Sequence, residues 1–331
     1  MTRMIRAAGR LLRRLVAASL LLGWGGLSVA ATEGLTIAVA RTPLSLPLFV
    51  AESQGFFAAE GAQVTLAEVL GGPRAMQAMF DGKADLATAS ETVAVFQSFK
   101  RDDFAIIASF ATTTDDIDLI AGKSLANARP EQLAGKRIGT VIGSASHFYA
   151  DAWLIFHGVE PKSTRPVNLP PEAMKTALAN GEVDAVSVWE PHRSEILQSV
   201  PGARLLPNPG IYRLSFNLNV ARKLLGTRDD ELSRVLRALL RAERFIESEP
   251  GKAQAILRER LALEQDQAHQ FLARIRYRVM LDQSLLTTLE SVARWARLEG
   301  HVTAARSPNY LGFTYTEPLR KARPDRIGIG R

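Results

Sequence analysis

The turn Gly143–His147, with the sequence GSASH, carries the residue types that bind a small anion. It joins a predicted strand to a predicted helix, whose first amides and positive dipole end attract negative charge. Such a turn holds an anionic group without a lysine or an arginine. Ser144 and Ser146 equally suit ordinary helix capping. Because no serine or aspartate is arranged with His147 as a catalytic triad, we expect this residue to donate a hydrogen bond at most.

Other turns after predicted strands supply the remaining candidates. A loop with two prolines follows the first strand, and a Gly-Gly pair lets the backbone approach a ligand closely. Trp189 ends a strand beside a helix start, which favours a flat ring in the wall of a cleft over a place in the core. The predicted ligand-binding residues are Ser45, Leu46, Gly72, Ser90, Glu91, Thr92, Ser144, Ala145, Ser146, His147, Trp189 and Glu190.

Two of these candidates, Glu91 and Glu190, bear on the charge of the ligand. Each lies at a predicted helix N-terminus, where the dipole stabilises a carboxylate, so a structural role explains both. If either carboxylate points into the cleft, it repels a bare anion such as nitrate. On that second reading we expect a zwitterion or an amine-bearing heterocycle as the ligand.

Motifs of covalent catalysis and of metal binding do not occur in the sequence. There is no cysteine, and the G-x-S-x-G, H-E-x-x-H and Walker patterns are missing. We therefore predict no catalytic residue, no metal site and no cofactor, and a protein that is not an enzyme. The five histidines are scattered along the sequence rather than grouped with carboxylates: His147, His157, His192, His269 and His301.

A repeated unit must position these residues. Pro73–Glu91 and Pro171–Glu190 both run P-x-A-M, then Gly, then Asp three residues later and Glu nine residues after the Gly. A separation of about a hundred residues is too long for a solenoid and fits two similar lobes. Small molecules bind in the cleft between such lobes. We expect Asp85 and Asp184 to brace the glycine turns that precede them.

The elements around the repeat alternate between strand and helix. This order predicts sheets of parallel strands covered on both faces. Arg213–Val220 alternates in hydrophobicity and is predicted to be the strand that returns the chain to the first lobe. Only helical patterns follow, among them Glu264–Arg278, so we expect a helical tail on the outside of lobe one. From Arg320 onward we predict a loose end.

The N-terminus has the pattern of a secretory signal peptide. Residues 1–31 contain five arginines and no acid. Within this segment, the arginines precede the short apolar run Leu15–Leu22, and the small residues Ser28–Ala30 lie before a cleavage point. A retained membrane anchor is the alternative, but glycines break this apolar run and it is short for a span. Removal of these residues takes the net charge from +7 to +2. The sequence thus predicts a soluble periplasmic protein and no nucleic-acid partner.

Several longer motifs together resemble a known family. The chain is similar to the periplasmic substrate-binding proteins of bacterial ABC importers for nitrate, taurine and aliphatic sulfonates, which in turn resemble thiamine-pyrimidine-synthase-like domains. The resemblance covers residues 35–220 well and the helical tail loosely. The motifs that carry it are FVAESQGFF (Phe49–Phe57), GGPRAM (Gly71–Met76), GKADLA (Gly82–Ala87), LAGKRIGTVIGSASHFY (Leu133–Tyr149), LPPEAM (Leu169–Met174) and GEVDAVSVWEP (Gly181–Pro191).

The resemblance implies an α/β protein of the two-lobed type II periplasmic binding fold. Each lobe would be a mostly parallel sheet flanked by helices, with the helical tail on lobe one. Lobe one would comprise residues 32–118 and 213–331, and lobe two residues 119–212, with hinge strands near 118–122 and 213–219. The lobes would close on a sulfonate, a taurine-like or nitrate-like solute or a pyrimidine. A monomer would deliver it to a membrane permease with a cytoplasmic ATPase.

Two other functions use the same fold. A ligand-sensing module reports to a membrane receptor, and neighbouring genes for a kinase or cyclase, rather than a permease and ATPase, would indicate it. A thiamine-pyrimidine-synthase-like enzyme needs a dedicated histidine and a cysteine cluster, which this cysteine-free chain lacks. We therefore disfavour the enzyme, and we predict import with a sensing module as the open alternative.

Overall fold

The computed structural model describes residues 34–125 and 128–329. The predicted signal peptide, residues 1–31, lies outside these described residues. Within the described ranges, no helix has both the length and the apolar character that crossing a membrane requires. The strands are, in chain order, β1 (Leu35–Ala40), β2 (Val64–Val69), β3 (Leu86–Ser90), β4 (Phe104–Thr113), β5 (Ile117–Ala121), β6 (Arg137–Thr140), β7 (Arg165–Asn168), β8 (Ala185–Trp189), β9 (Arg204–Leu205), β10 (Leu214–Ala221) and β11 (Arg276–Met280).

The helices cover both sheets and form most of the C-terminal part. The first two α-helices are separated at Gly55, whose φ of 67° lies in the left-handed region that glycine adopts readily. The α-helices are α1 (Leu46–Ser53), α2 (Phe56–Ala59), α3 (Gly72–Phe80), α4 (Glu91–Ser98), α5 (Ala145–Phe156), α6 (Pro171–Ala179), α7 (His192–Ser199), α8 (Asp229–Ser248), α9 (Pro250–Leu261), α10 (Gln265–Arg274), α11 (Gln283–Leu298) and α12 (Glu317–Ala322).

The strands form two sheets with a common core order. The first sheet runs β11-β4-β10-β3-β1-β2 and the second runs β7-β6-β8-β5-β9. Each sheet contains three parallel strands, β3-β1-β2 in the first and β8-β6-β7 in the second. Beside β3 lies the antiparallel strand β10, and beside β8 lies the antiparallel strand β5. The chain reaches each of these two antiparallel strands after it leaves the other sheet. Every residue of β3 and β8 is buried, as expected for strands covered on both faces.

The repeated aspartates hold the first strand of each parallel trio. The carboxylate of Asp85 accepts the amide of Thr36 in β1 at 2.9 Å. Asp184 accepts the amide of Arg137 in β6 at 2.8 Å and also pairs with the Arg137 guanidinium at 3.0 Å. Each aspartate fixes the start of the neighbouring strand, where a free amide needs an acceptor. The predicted bracing of the glycine turn is seen for Asp184, though indirectly: the guanidinium of Arg137, which pairs with Asp184, donates to the Gly181 carbonyl at 2.8 Å.

The C-terminal part contains a strand that the helical prediction missed. The helix predicted over Glu264–Arg278 ends at Arg274, and β11 pairs with β4 at the edge of the first sheet. Tyr277 and Val279 are buried while their neighbours face solvent, which is the alternation of a half-buried strand. The amide of Val279 also donates to Glu243 in α8 at 2.8 Å.

The end of the chain is packed rather than loose. Helix α12 contacts α8, with Leu319 fully buried and Lys321 paired with Asp230 at 2.9 Å. Ile327 is buried and forms a bridge with Leu281. The loose end predicted from Arg320 is thus wrong through residue 329, because apolar and ionic contacts fix this segment on α8.

Two short passages connect the sheets. The chain leaves the first sheet after β4 and enters the second at β5, through residues 114–116. It returns through residues 206–213, between β9 and β10. The predicted hinge strands, 118–122 and 213–219, fall largely within β5 and β10. Their role as hinges, and the lobe boundaries drawn from them, stay predictions.

Candidate functional site

A cavity lies where the two sheets meet. The volume of this cavity is about 30 Å³. Both repeats contribute walls, since β3 and α3 border it from the first sheet and β8 and α5 from the second. Five predicted ligand-binding residues line it: Gly72, Ser90, Ser144, Ala145 and Trp189. The other lining residues are Ala40, Thr42, Leu44, Gly71, Pro73, Val93, Asp116, Ile117, Leu214 and Phe216.

Gly71 and Trp189 form the closest approach between the two walls. Gly71 has a φ of 83°, and a Cβ atom placed on it would lie 3.0 Å from the Trp189 indole. A side chain at this position would push against the ring, so only glycine satisfies both the backbone angle and the space. Trp189 is 9% exposed, as expected for a cleft wall that the opposite lobe covers.

Three helices begin at the cavity. α3 begins at Gly72, α4 follows Ser90 and α5 begins at Ala145, so their N-terminal amides and positive dipole ends come together there. Ser144 caps α5: its Oγ receives the amide of Ser146 at 3.3 Å and donates to the carbonyl of Val141 at 2.7 Å. The capping reading and the anion-loop reading of this turn are compatible, because the cap fixes the turn and both Ser144 and Ala145 line the cavity.

Three other predicted residues support the site from behind rather than line it. Ser45 donates to the carbonyl of Ala40 at 2.7 Å, and Leu46 is fully buried in the core. Ser146 is also fully buried, and its hydroxyl lies 2.9 Å from that of Thr140. These side chains hold the loops in place.

Glu91 is fully buried and satisfied by neutral donors. It accepts a short hydrogen bond from the Tyr212 hydroxyl and two from Ser215, at 2.8 Å from the amide and 2.9 Å from the hydroxyl. Burial raises the pKa of Glu91, although these donors oppose the shift. Thr92, another predicted site residue, lies 3.1 Å from the Tyr212 hydroxyl. Both side chains therefore belong to a network behind the cavity.

Glu190 is buried in an ion pair instead. It accepts from the Arg193 guanidinium at 2.6 Å and from the Ser194 amide and hydroxyl at 3.1 and 2.9 Å. Arg193 also contacts Asp118 and, at 3.1 Å, Asp115. Burial opposes the charge of Arg193, but these carboxylates raise its pKa above the usual value. Neither repeated glutamate is among the residues that line the cavity.

The acid in the cavity is Asp116, which the sequence analysis did not single out. It lies in the first passage between the sheets and is 4% exposed. Among the described residues that line the cavity it is the only one with a charged side chain. Burial, with Glu190 as the next cause, raises the pKa of Asp116 to about 8, against the influence of Arg193. The run Asp115-Asp116-Ile117-Asp118 at a crossing was the available signal.

His147 lies outside the cavity in an aromatic cluster. Its ring centroid is 5.2 Å from that of Trp295 and 4.3 Å from that of His301. His301 in turn lies 2.9 Å from the carboxylate of Asp151. Burial and the neighbouring His301 lower the pKa of His147 to about 4, although Asp151 opposes the shift. The histidines that are scattered in sequence are therefore partly gathered in space.

Comparisons with known proteins agree on one family and one fold. A model of the NMT1-like family matches residues 29–259. The taurine-binding periplasmic protein of Escherichia coli (strain K12) is 28% identical over 163 residues, which are 48% of this chain and 49% of that protein. The chain thus spans about half the length of the curated relatives it matches.

Solved structures extend the likeness over most of the chain. The alkanesulfonate-binding protein SsuA from Xanthomonas axonopodis pv. citri, bound to MOPS, has a TM-score of 0.73 and 20% identity, covering 83% of this chain and 96% of that one. The desulfurization enzyme DSZB has a TM-score of 0.64 and 16% identity, covering 88% and 99%. These likenesses show the periplasmic binding protein fold, which confirms the predicted fold class.

Proposed function

The chain belongs to the NMT1-like family, and we propose that it is the solute-binding component of an ABC importer. In this proposal a monomer captures a small zwitterion in the cavity and delivers it to a membrane permease with a cytoplasmic ATPase. The predicted signal peptide in residues 1–31 supports a periplasmic location. A periplasmic relative in E. coli supports that location.

The observation that carries the proposal is the charge pattern of the cavity. Three helix N-termini offer partial positive charge, and Asp116 offers the one ionisable side chain among the described lining residues. An acidic head group fits the helix ends, and an ammonium group fits Asp116. Leu44, Val93 and Phe216 provide apolar contacts for the atoms between the two groups. A bare anion such as nitrate would use only half of this pattern.

Capture requires the two walls to separate. A cavity of about 30 Å³ holds two or three waters, at about 10–15 Å³ each. A solute of several heavy atoms therefore enters only when the sheets move apart. Domain closure around a ligand is the usual response of a two-lobed binding protein. Closure would bring Trp189 and Gly71 together over the solute.

Catalysis is the second candidate, because the desulfurization enzyme DSZB shares the fold. A shared fold does not transfer an activity. Of the cavity-lining hydroxyls, Ser144 is engaged as a helix cap, and Asp116 makes no hydrogen bond to a serine among the described residues. We therefore propose binding without covalent chemistry. A sensing role needs the same cavity, and the identity of the neighbouring genes separates it from import.

A thermal-shift screen tests the proposal. The purified protein is scanned with sulfonates, taurine-like zwitterions, nitrate, pyrimidines, aromatic acids and small amines, each at several concentrations. A ligand that binds the folded state raises the melting temperature as its concentration rises. We expect the largest rise with a zwitterion. Shifts with nitrate and none with zwitterions would contradict the ligand class, and no shift with any solute would contradict the binding role.

The pH dependence of binding adds a second criterion. An ammonium group requires ionised Asp116, so its affinity rises with pH up to about 8 and then levels off. A neutral or anionic acceptor instead requires protonated Asp116, and its affinity falls as pH passes 8. Calorimetry at pH 6 and pH 9 distinguishes the two.

A further inference from the structure

We propose that His147, Asp151 and His301 form a binding site for a divalent transition-metal ion of the Zn²⁺ class, separate from the solute cavity. One potential ligand atom from each residue lies within 4.8 Å of the other two. The proposal does not rest on the importer function, because none of the three residues lines the solute cavity.

Two elements bring the three side chains together. His147 and Asp151 are four residues apart in α5, a spacing that places both on one face of a helix. His301 follows α11 and reaches across to this face. Its Nε2 lies 2.9 Å from Oδ2 of Asp151. Because two ligands of one zinc ion, each at about 2.0–2.2 Å, are separated by about 3–3.5 Å, this pair needs little rearrangement. His147 must approach by about 1–1.5 Å.

The strongest sign of a missing partner is Nε2 of His147. The residue is 1% exposed, and this nitrogen has no hydrogen-bond partner. The amide of Gly143 donates to Nδ1 at 3.4 Å. Since Nδ1 is the acceptor, the neutral ring carries its proton on Nε2, where a buried donor is left unsatisfied. An ion on Nε2 would satisfy that atom and move the proton to Nδ1, with loss of the long Gly143 contact.

The donor set and its surroundings fit a borderline metal. Two imidazoles and one carboxylate suit Zn²⁺, and such three-ligand sites keep a fourth position for water. The indole of Trp295 donates to Oδ2 of Asp151 at 3.2 Å, which orients the carboxylate as outer-shell partners of metal ligands do. The His301 side chain is 21% exposed, so an ion has a route from solvent.

The position of the site links the two sheets. Helix α5 packs on β5, β6 and β8 of the second sheet, whereas α11 contacts α4 beside the first. An ion held by α5 and by the segment after α11 would favour the arrangement in which these helices touch. Metal binding and solute binding are then expected to strengthen each other.

Calorimetry with ZnCl₂ on the purified protein, without a histidine tag, tests the site. We expect one ion per chain, and a rise in melting temperature that EDTA abolishes. His301→Ala and Asp151→Asn should each weaken Zn²⁺ binding at least tenfold. The matched control is His269→Ala, which removes an exposed histidine that hydrogen-bonds to Gln254 at 3.0 Å and should bind Zn²⁺ like the unaltered protein.

Absence of saturable binding would overturn the proposal. So would affinities of His301→Ala and Asp151→Asn within threefold of the unaltered protein. If a variant does not fold, as judged by its melting curve without metal, the Co²⁺-loaded unaltered protein decides. Intense visible bands of a low-coordinate ion support the site, and the weak bands of a six-coordinate ion contradict it.

Discussion

The two copies of the repeat place a buried glutamate at the same point and neutralise it in different ways. Glu91, after β3, receives neutral donors from Tyr212 and Ser215. Glu190, after β8, receives the Arg193 guanidinium, which also binds Asp115 in the first passage between the sheets and Asp118 in β5. The repeat fixes where each carboxylate lies, but its partner comes from a segment that is not repeated.

The comparison also shows what the glutamates do. Glu91 holds the passage that returns to the first sheet, because Tyr212 and Ser215 lie at its end. Through Arg193, Glu190 holds the passage that leaves it, at Asp115 and Asp118. Each repeat thus anchors one of the two crossings. The ion-paired anchor flanks Asp116 on both sides, so the second repeat positions the acid of the solute cavity.

The largest difference between the anchors should appear on removal of their partners. Arg193→Met leaves several buried carboxylates without a cation, and we expect a loss of about 3–5 kcal/mol in the free energy of unfolding. Tyr212→Phe removes one neutral donor and should lose about 1–2 kcal/mol. Urea unfolding of both variants measures the difference. Equal losses would show that the two anchors do not differ in kind.

Asp116 should destabilise the folded protein once it ionises. Its pKa is raised from 3.8 to about 8 on folding, so the stability it contributes is complete below pH 4 and is lost as pH rises through 8. Asp116→Asn should therefore raise the melting temperature at pH 9 and leave it nearly unchanged at pH 4. A rise of equal size at both values would contradict the buried, ionisable position of this residue.

The contact between the cavity walls can be tested with two glycines of similar φ. Gly71→Ala places a methyl group 3.0 Å from the Trp189 ring, whereas Gly82→Ala, at a φ of 73°, meets open space. The backbone cost differs as well: Gly71 combines its φ of 83° with a ψ of 157°, a region essentially restricted to glycine, so Gly71→Ala should also lose more stability than Gly82→Ala. Only Gly71→Ala should weaken solute binding, by at least tenfold, because it obstructs closure. If calorimetry finds that both variants lose the same solute affinity, Gly71 and Trp189 do not form the wall of the binding site.

The smallest effect is expected for an exposed ion pair between the halves. Arg74 in α3 and Glu172 in α6 lie 2.5 Å apart, but both side chains are more than 40% exposed. Arg74→Ala should change the free energy of unfolding by less than about 1 kcal/mol. Solute affinity should change less than twofold. If Arg74→Ala lowered the free energy of unfolding as much as Arg193→Met, this pair would stabilise the protein far more than its exposure predicts.

Local sequence patterns predicted much of the fold. The duplicated motif and the strand-helix order indicated two α/β halves, and the motif resemblance is confirmed by the family match. Contacts between distant segments determined the structure of the parts that these patterns did not predict. RYRVM in β11 reads equally well as the end of α10, and only its pairing with β4 makes it a strand. Arg320 belongs to an ordered helix because α8 lies beside it.

The site was predicted at the level of loops rather than side chains. Gly72, Ser90, Ser144, Ala145 and Trp189 line the cavity because strand ends meet there. The direction of Glu91 depends on Tyr212, which comes from a distant segment. Glu190 instead pairs with Arg193, three residues later in the chain, and only the burial of this pair beside Asp118 required the fold. Asp116 and the cluster of His147 with His301 arise from chain crossings and tail packing. No local pattern encodes such juxtapositions.

Calorimetry with a matched pair of solutes tests the role of Asp116 most directly. Taurine and ethanesulfonate share the sulfonate and differ in the amine. The unaltered protein should bind taurine at least tenfold more tightly, and Asp116→Asn should remove that preference while it keeps a similar affinity for ethanesulfonate. Equal affinity of the unaltered protein for the two solutes, or a preference that survives Asp116→Asn, would contradict a zwitterion held by this carboxylate.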